Sequence, residues 1–491
     1  MTGQNPSPIC HLAATHVFLE IHPQFTTMKT LLRIFFTLTV LSAFSACIED
    51  GIDTSPSAQP EFSVDTLKMG VVFTGQATPT SRFMVYNRHG KIINISNISL
   101  RGGDGTFRIN VDGFAGTEFQ NVEIRPNDSI YVFVEATLRP NGAPALTDFN
   151  DILDFTTNGV TRSVVLNASG QDVERLRGLV VDADMRLDAG YPYQIFDSLV
   201  VAKGATLTVG EGVMMHFHDK AFMRVEGSLV TEGTPQNPVN MCGDRTGNVV
   251  SDISFDLMAS QWEGVRFAPE SRGNSLSHTV IRNTVAGVTA DSLSQVDMLN
   301  CRLRNSAGYS LAGRYADLTL TGCEIAEAAE GVMALIGGKA TVSNCTFANY
   351  YLFSALRGEA VQLYHLNYGD DDGSGMPFME AEFNNCIFYG NGTDFSPGDL
   401  SGSMVTVRRS LLKSNGSDDS NFINCIWGED PLYYTVRSDY YFDYRLQPES
   451  PAIGTGDPAL VPTSGSKDFY GTDRGPTPNL GAYQTAKDED E

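Results

Sequence analysis

Positive charge is what this chain has least of: 34 Lys and Arg stand against 58 Asp and Glu, a net charge of −24 with histidine neutral. With no basic stripe to neutralise phosphates, nucleic acid and anionic membrane surfaces are excluded as partners. The same shortage argues against a polyuronate lyase, whose anionic substrate needs Arg and Lys across the groove. Long heptad or amphipathic helical runs are also missing, which points away from an α protein. The longest apolar run near the N-terminus, Ile34 to Leu41, is too short to span a bilayer. No C-x-x-C pair exists, so the cysteines do not read as a zinc site. What is present is glycine, 47 residues, and proline, 22 residues, the punctuation of short strands and turns. At 491 residues, two or three domains are expected.

A small phrase recurs along the second half of the chain. It reads Leu299-Asn300-Cys301-Arg302-Leu303, Thr321-Gly322-Cys323-Glu324-Ile325, Ser343-Asn344-Cys345-Thr346-Phe347, Asn384-Asn385-Cys386-Ile387-Phe388 and Ile423-Asn424-Cys425-Ile426-Trp427. Thr279, Cys301, Cys323 and Cys345 are each 22 residues apart. Such a period marks a stacked repeat, in which each unit buries its apolar face only against its neighbours. The cysteine and the residue two after it share one face of a strand. The apolar residue three before it (Met298, Leu320, Val342, Phe383, Phe422) points the same way only if the chain bends between. The residue before each cysteine is Asn or Gly, types that tolerate left-handed backbone angles. Strand, bend, strand every 22 residues describes one coil of a right-handed parallel β-helix, with coils about 4.8 Å apart. A leucine-rich repeat is the rival, but the Leu-x-x-Leu-x-Leu frame is absent. The gaps from Cys345 to Cys386 and from Cys386 to Cys425 fit two coils each, or one coil carrying a loop. The stretch Gly369 to Gly375 and the segment Asp394 to Asp419 are where such loops are expected.

The fold class is therefore all-β, with a sandwich ahead of the solenoid. The expected division is 1–27 an over-long start, 28–46 a signal peptide, 47–60 a tether, 61–172 a β-sandwich, 176–450 the β-helix, and 451–491 a C-terminal cap with an acidic tail. From Met28 the order is a charged start with Lys29 and Arg33, an apolar run, then Phe44-Ser45-Ala46-Cys47. This resembles a bacterial lipoprotein signal and implies lipidation at Cys47. The following Ile48-Glu49-Asp50 resembles the surface-export signal of Bacteroidetes lipoproteins, which implies an outer-membrane protein facing outward, anchored rather than spanning. Four Asp-Ser/Thr-aliphatic triplets, such as Asp197-Ser198-Leu199, resemble the O-glycosylation acceptor of the same phylum.

Between 61 and 172, alternating segments such as Arg82 to Tyr86 and Ser129 to Val134 are spaced by turn residues, as in a β-sandwich. Met69-Gly70-Val71, Tyr86 to Gly90, Arg125 to Ser129 and Leu166 to Gly170 resemble the immunoglobulin-like ASH or HYDIN-type modules of surface proteins. The segments Leu199 to Val209, Val225 to Leu229 and Trp262 to Phe267 resemble the opening coils of Bacteroidetes right-handed parallel β-helix repeat proteins. Ser450 to Asp457, Asp468-x-x-Gly471-x-x-Arg474 and Leu480-Gly481-Ala482-Tyr483-Gln484 resemble the choice-of-anchor Q signature at their C-terminus. Gly454 stands where that signature usually has an acidic residue.

Six cysteines follow the lipidation site: Cys242, Cys301, Cys323, Cys345, Cys386 and Cys425. An even number in an exported protein invites a disulfide reading. Stacked β-carbons about 4.8 Å apart exceed the roughly 3.8 Å of a disulfide, so a ladder of free, inward thiols is expected. His216 and His218 share one face of a strand; with Phe217 inward, both are expected in solvent. Asp370, Asp372 and Ser374 match the first half of an acidic calcium loop. The twelfth position is Ala381, between Glu380 and Glu382, so the bidentate carboxylate is out of register. Calcium at these three residues is the one cofactor considered. Tyr350, Tyr351, Tyr364, Tyr368 and Tyr389, from neighbouring coils, are candidate ligand-binding residues, because exposed rings can stack on sugars or anchor a partner. Packing under the C-terminal cap is the competing role.

No compact pair of carboxylates falls at matching positions of successive coils; Asp297 and Asp317 do not share one. No catalytic residue is assigned. The leading expectation is a monomeric, surface-anchored, non-catalytic protein that binds a glycan or a surface or host protein. The alternatives are a carbohydrate-active enzyme of parallel β-helix type and a structural envelope component.

Overall fold

The computed structural model describes residues 51–250, 253–354, 361–364, 380–396 and 404–484. Cys47, the signal segment, Tyr368 and the calcium candidates Asp370, Asp372 and Ser374 lie outside the described residues, and Tyr364 enters only as backbone of the strand Val361–Tyr364. The described chain is all-β, and none of its helices is long and apolar enough to cross a membrane.

Two five-stranded sheets form the N-terminal sandwich. Side chains alternate in and out along its strands, so Ile130, Val132, Val134 and Ala136 of Ser129–Ala136 all face inward. Asn158-Gly159, with φ of 51° and 79°, turns Thr147–Thr157 into Val160–Gln171; both residues need the left-handed region, which is why this pair suits a two-residue hairpin. Val85, Ile93, Val132, Phe155 and Leu166 are fully buried between the sheets.

The right-handed β-helix starts with Glu174–Val181 and closes its last coil with Ile426–Trp427. Each regular coil carries three strands. In one coil Gln295–Leu299 leads to a bend at Asn300, then Arg302–Arg304, a corner, and Tyr309–Arg314. Register repeats at the sequence period: Gln295 lies over Asp317, which lies over Lys339. The bend before each cysteine is left-handed, with φ of 50° at Asn300, 65° at Gly322, 51° at Asn344 and 54° at Asn385 and Asn424. Met298, Leu320, Val342 and Phe383 turn inward as that bend requires, and Phe347 stacks on Phe388 with ring centroids 5.0 Å apart.

The irregular gaps resolve differently from each other. Lys339–Ser343 pairs directly with Glu380–Asn384, so the first gap is one coil carrying an insertion. The second gap holds two coils. Met404–Arg408 is a strand of the intervening one, Arg409 makes the left-handed bend at φ 49°, and Ser410 takes the cysteine position. The segment Asp394 to Asp419 is thus not one loop; a hydroxyl replacing the thiol and an arginine at the bend hid this coil from the repeat.

The thiols are free. Cys301, Cys323, Cys345 and Cys386 are fully buried and act as more than apolar filler: each sulfur donates to the carbonyl two residues before it, at 3.3 to 3.5 Å. Ser410 makes the same bond at 2.9 Å, and Thr279 at 3.0 Å. Burial pushes the Cys386 thiol up to about 12, which makes it unreactive. Cys242 stands apart from this ladder, on an outward position of the coil.

From Gly428 to Gln484 there is no strand. This segment, which begins before the expected cap at 451, lies along the outside of the solenoid. Its Tyr433, Tyr444, Leu446, Phe469, Leu480 and Tyr483 form a second core with Ala326, Ala348, Ile387 and Leu411 of the coils.

Candidate functional site

Three outer faces follow from three strands per coil, and their outward rows can be read from the register. The face made by Arg302–Arg304 and its stacked neighbours carries Val280, Arg302, Glu324, Thr346, Ile387 and Leu411 in one row. A second row on it runs His216, Cys242, then Arg282 and Arg304 further along. This face is covered. The sandwich lies over its start, where the Phe73 ring packs against His216 with centroids 4.8 Å apart. His216 therefore departs from the expectation of solvent. Its Nδ1 sits 3.4 Å from Cys242 Sγ and 3.3 Å from the Gly243 carbonyl, while His218 remains half-exposed beside Asp244 at 2.7 Å. Burial opposes charge on both groups of the first pair, yet each partner favours it, holding His216 above and Cys242 below the ordinary values.

Further along, the C-terminal segment is fastened by the bend residues. Asn300 donates to the Lys467 and Asp468 carbonyls at 3.3 Å, Asn344 to the Asn479 carbonyl at 3.3 Å, and Asn385 to the Asp457 carbonyl at 3.0 Å. The asparagines that turn the chain thus also grip its tail. Arg474 is buried and donates to Gly465, Gly481 and Ala482 carbonyls; Asp468 accepts from the Tyr470, Thr472 and Gln484 amides. The Asp-x-x-Gly-x-x-Arg pattern is the internal frame of this segment.

Beneath it lies a charged cluster. Arg304 grips both oxygens of Glu324, which is 1% exposed, and the Tyr483 hydroxyl donates to the same carboxylate. Burial raises the Glu324 pKa, but Arg304 outweighs it and holds the carboxyl below its usual range. Arg302 sits 3.7 Å from the Phe469 ring centroid and donates to Tyr483 at 2.8 Å. Glu327 occupies a left-handed corner, φ 53°, where preceding coils have Asn283 and Asn305. Burial pushes its carboxyl up to about 7, although the Tyr444 hydroxyl and Tyr350 amide donate to it.

The candidate aromatic residues belong mostly to this region. Tyr350 stacks on Tyr444 with centroids 6.2 Å apart, Tyr389 meets Tyr433 edge-on at 6.5 Å, and Tyr351 is buried beside Phe353.

The opposite situation holds on the face built from Gln295–Leu299 and its neighbours, a ten-stranded parallel sheet. One outward row reads Thr208, Val230, Ser275, Asp297, Thr319, Thr341, Glu382, Thr406. The next reads Gln295, Asp317, Lys339, Glu380, Met404. Asp297 pairs in register with Thr319, and Asp317 with Gln295, so the two carboxylates sit at different coil positions. Along the edge of this face runs a cavity of about 430 Å³, bordered by Leu293, Tyr315, Asp317, Lys339, Glu380 and Met404. Leu293 is 48% exposed and Met404 66%. Leu293 and Tyr315 hold left-handed angles of 62° and 50°, unusual for bulky side chains, in the corner where the next coil has Gly337 at 61°. Backbone strain of this kind gathers at functional sites. Sequence reasoning missed this corner, although 293, 315 and 337 are spaced at the coil period. Among the described residues no group of three or more His, Cys, Asp or Glu is arranged to hold a metal.

Residues 263–434 match the family described as "Right handed beta helix region". No curated protein matches the chain. Among solved structures, it is similar to the ASH/PapD-like domain 7 of human CEP192, at 10% identity and TM-score 0.17, over 24% of this chain and 89% of that one. It is also similar to a family 123 glycoside hydrolase from Clostridium perfringens, at 13% identity and TM-score 0.17, over 25% and 26%. A third is a protein of unknown function from Porphyromonas gingivalis W83, at 13% identity and TM-score 0.18, over 26% and 59%. At these scores the likenesses say nothing about the chemistry of this chain.

Proposed function

We propose that this protein is a non-catalytic binding protein, anchored by lipid at Cys47 to the outer surface of a cell, that holds a glycan along the open face of its β-helix. The observation that carries the reading is the edge cavity. It joins apolar surface from Leu293 and Met404 to Asp317, Lys339 and Glu380, the mixture of apolar contact and fixed polar groups that small-ligand sites use. The neighbouring row adds the hydroxyls of Thr319 and Thr341, one coil or about 4.8 Å apart. A partner protein is the other occupant such a face suits. Glycan-array binding with a reducing-sugar release assay on neutral polysaccharides tests the reading. Binding without release is expected; steady release, lost on changing one carboxylate, would overturn it.

A carbohydrate-active enzyme is the second reading, and one observation favours it. Glu324 and Glu327 on one coil have pKa values pushed in opposite directions, as acid and base pairs do. Against it, Tyr483 and Tyr444 already occupy these carboxylates under a covering segment.

A further inference from the structure

A second cavity, about 460 Å³, lies at the opposite end of the open-face strands, beside Leu299, in the seam between the coil bends and the C-terminal segment. Its floor is His278 and Asn300, 8% and 2% exposed, both in left-handed bends. Asn300 donates to His278 Nε2 at 3.2 Å, and Nδ1 of the same ring faces Ser277 Oγ at 3.0 Å. Burial lowers the His278 pKa, so the floor is neutral. One wall is the turn at Pro235 and Gln236; the other is Tyr470, whose ring is held by the Arg302 and Arg445 guanidiniums at 4.9 and 5.2 Å. The two guanidiniums pin the Tyr470 wall, which limits the cost of ordering it against a ligand.

The rim is what selects a ligand. Ser464 and Ser466 bring hydroxyls and Gln236 an amide, and all three are exposed. Lys467 brings an ammonium that forms no ion pair with any carboxylate among the described residues, in a chain with 58 Asp and Glu. Asp468, the nearest acid in sequence, is buried and accepts three backbone amides. Asp473, whose backbone bridges that of Lys467, makes no ion pair with it and accepts from the Gly475 amide, so the rim is a cation among hydroxyl and amide groups with one exposed carboxylate beside it, on a protein otherwise strongly acidic.

We propose that this seam pocket binds one sugar ring bearing a carboxylate, such as a uronic acid at a glycan end, with Lys467 on the carboxylate and Ser464, Ser466 and Gln236 on the ring hydroxyls. This rests on the glycan-binding reading but uses a different site from the open face. A single charge-assisted contact here does not need the basic groove that a polyuronate demands.

The test is calorimetry of the full chain with methyl glucuronide and methyl glucoside as probes, alongside the glycan array. The glucuronide should bind about tenfold tighter than the glucoside. Lys467→Ala should erase that preference and Lys467→Arg should keep it. Equal binding of the two sugars, or a preference that survives Lys467→Ala, overturns the proposal. If the array shows neutral glycans bound while the glucuronide is not, the pocket is refuted and the open-face reading stands. If no glycan binds at all, both fall.

Discussion

On the open face, threonines and charged groups project from strands whose other side is core; on the covered face, strands of the same coils project Ile387, Leu411, Ala326 and Ala348 outward, and these meet the C-terminal segment. The two faces share backbone, period and twist. They differ only in which side chains stand outward, and that alone decides which face needs a cover. Ile387-Phe388-Tyr389 and Leu411-Leu412 are apolar on consecutive residues, the pattern of strands buried on both sides. Thr319-Leu320 and Thr341-Val342 alternate, the pattern of strands wet on one side.

Glu324→Ala should have the largest effect on this contrast. It leaves Arg304, whose side chain is 23% exposed beneath the covering segment, without its partner, and a loss of about 3 kcal/mol is expected in urea unfolding. A loss near zero would show that the segment does not seal the cluster.

Next comes pH. Glu327 is raised in the folded protein to about 7 from an ordinary 4.5, so the folded state binds its proton more tightly. Its contribution is fully present below about pH 4.5 and is lost as pH rises through about 7. Over that window stability should fall by up to about 1.4 kcal/mol per pH unit from this group. The groups facing it are Arg304, Glu324, Tyr444 and the Tyr350 amide. Glu327→Gln should flatten this part of a pH series of melting curves; an unchanged slope would assign the dependence elsewhere.

Gly322→Ala should cost about 2–3 kcal/mol. Its φ is 65°, and a β-carbon there would overlap the Asn300 carboxamide oxygen. A denaturation midpoint close to the parent would contradict the tight fit between bends.

The smallest effect is expected on the open face. Thr341→Ala should change stability by less than about 0.5 kcal/mol while weakening glycan binding on the array. A large stability loss there would mean that this face, too, is covered.

Much of the fold was legible because the repeat is strict where packing is strict. Cys301, Cys323 and Cys345 fill a narrow inward position that must also donate to a carbonyl, so few residue types fit. The period failed where chemistry allowed substitution: Ser410 donates as a thiol does, and Arg409 reaches the same bend angle as asparagine. Candidate sites were less legible. Tyr350 and Tyr389 read as surface aromatics because their partners Tyr444 and Tyr433 lie far along the chain. His216 read as solvent-facing because its cover, Phe73, comes from the other domain.

By itself the sequence determined the coil: side-chain alternation and a left-handed bend every 22 residues are local, and each coil repeats the same local solution. It also set the chain's acidity and the free state of the ladder thiols, since stacking distance is a property of any parallel sheet. Only the tertiary structure decided which outer face stays open, where Glu324 and Glu327 are sealed, and that asparagines made for turning also hold the tail. Those outcomes depend on contacts between residues more than a hundred positions apart, such as Tyr483 with Glu324 and Tyr444 with Glu327, which no local pattern encodes.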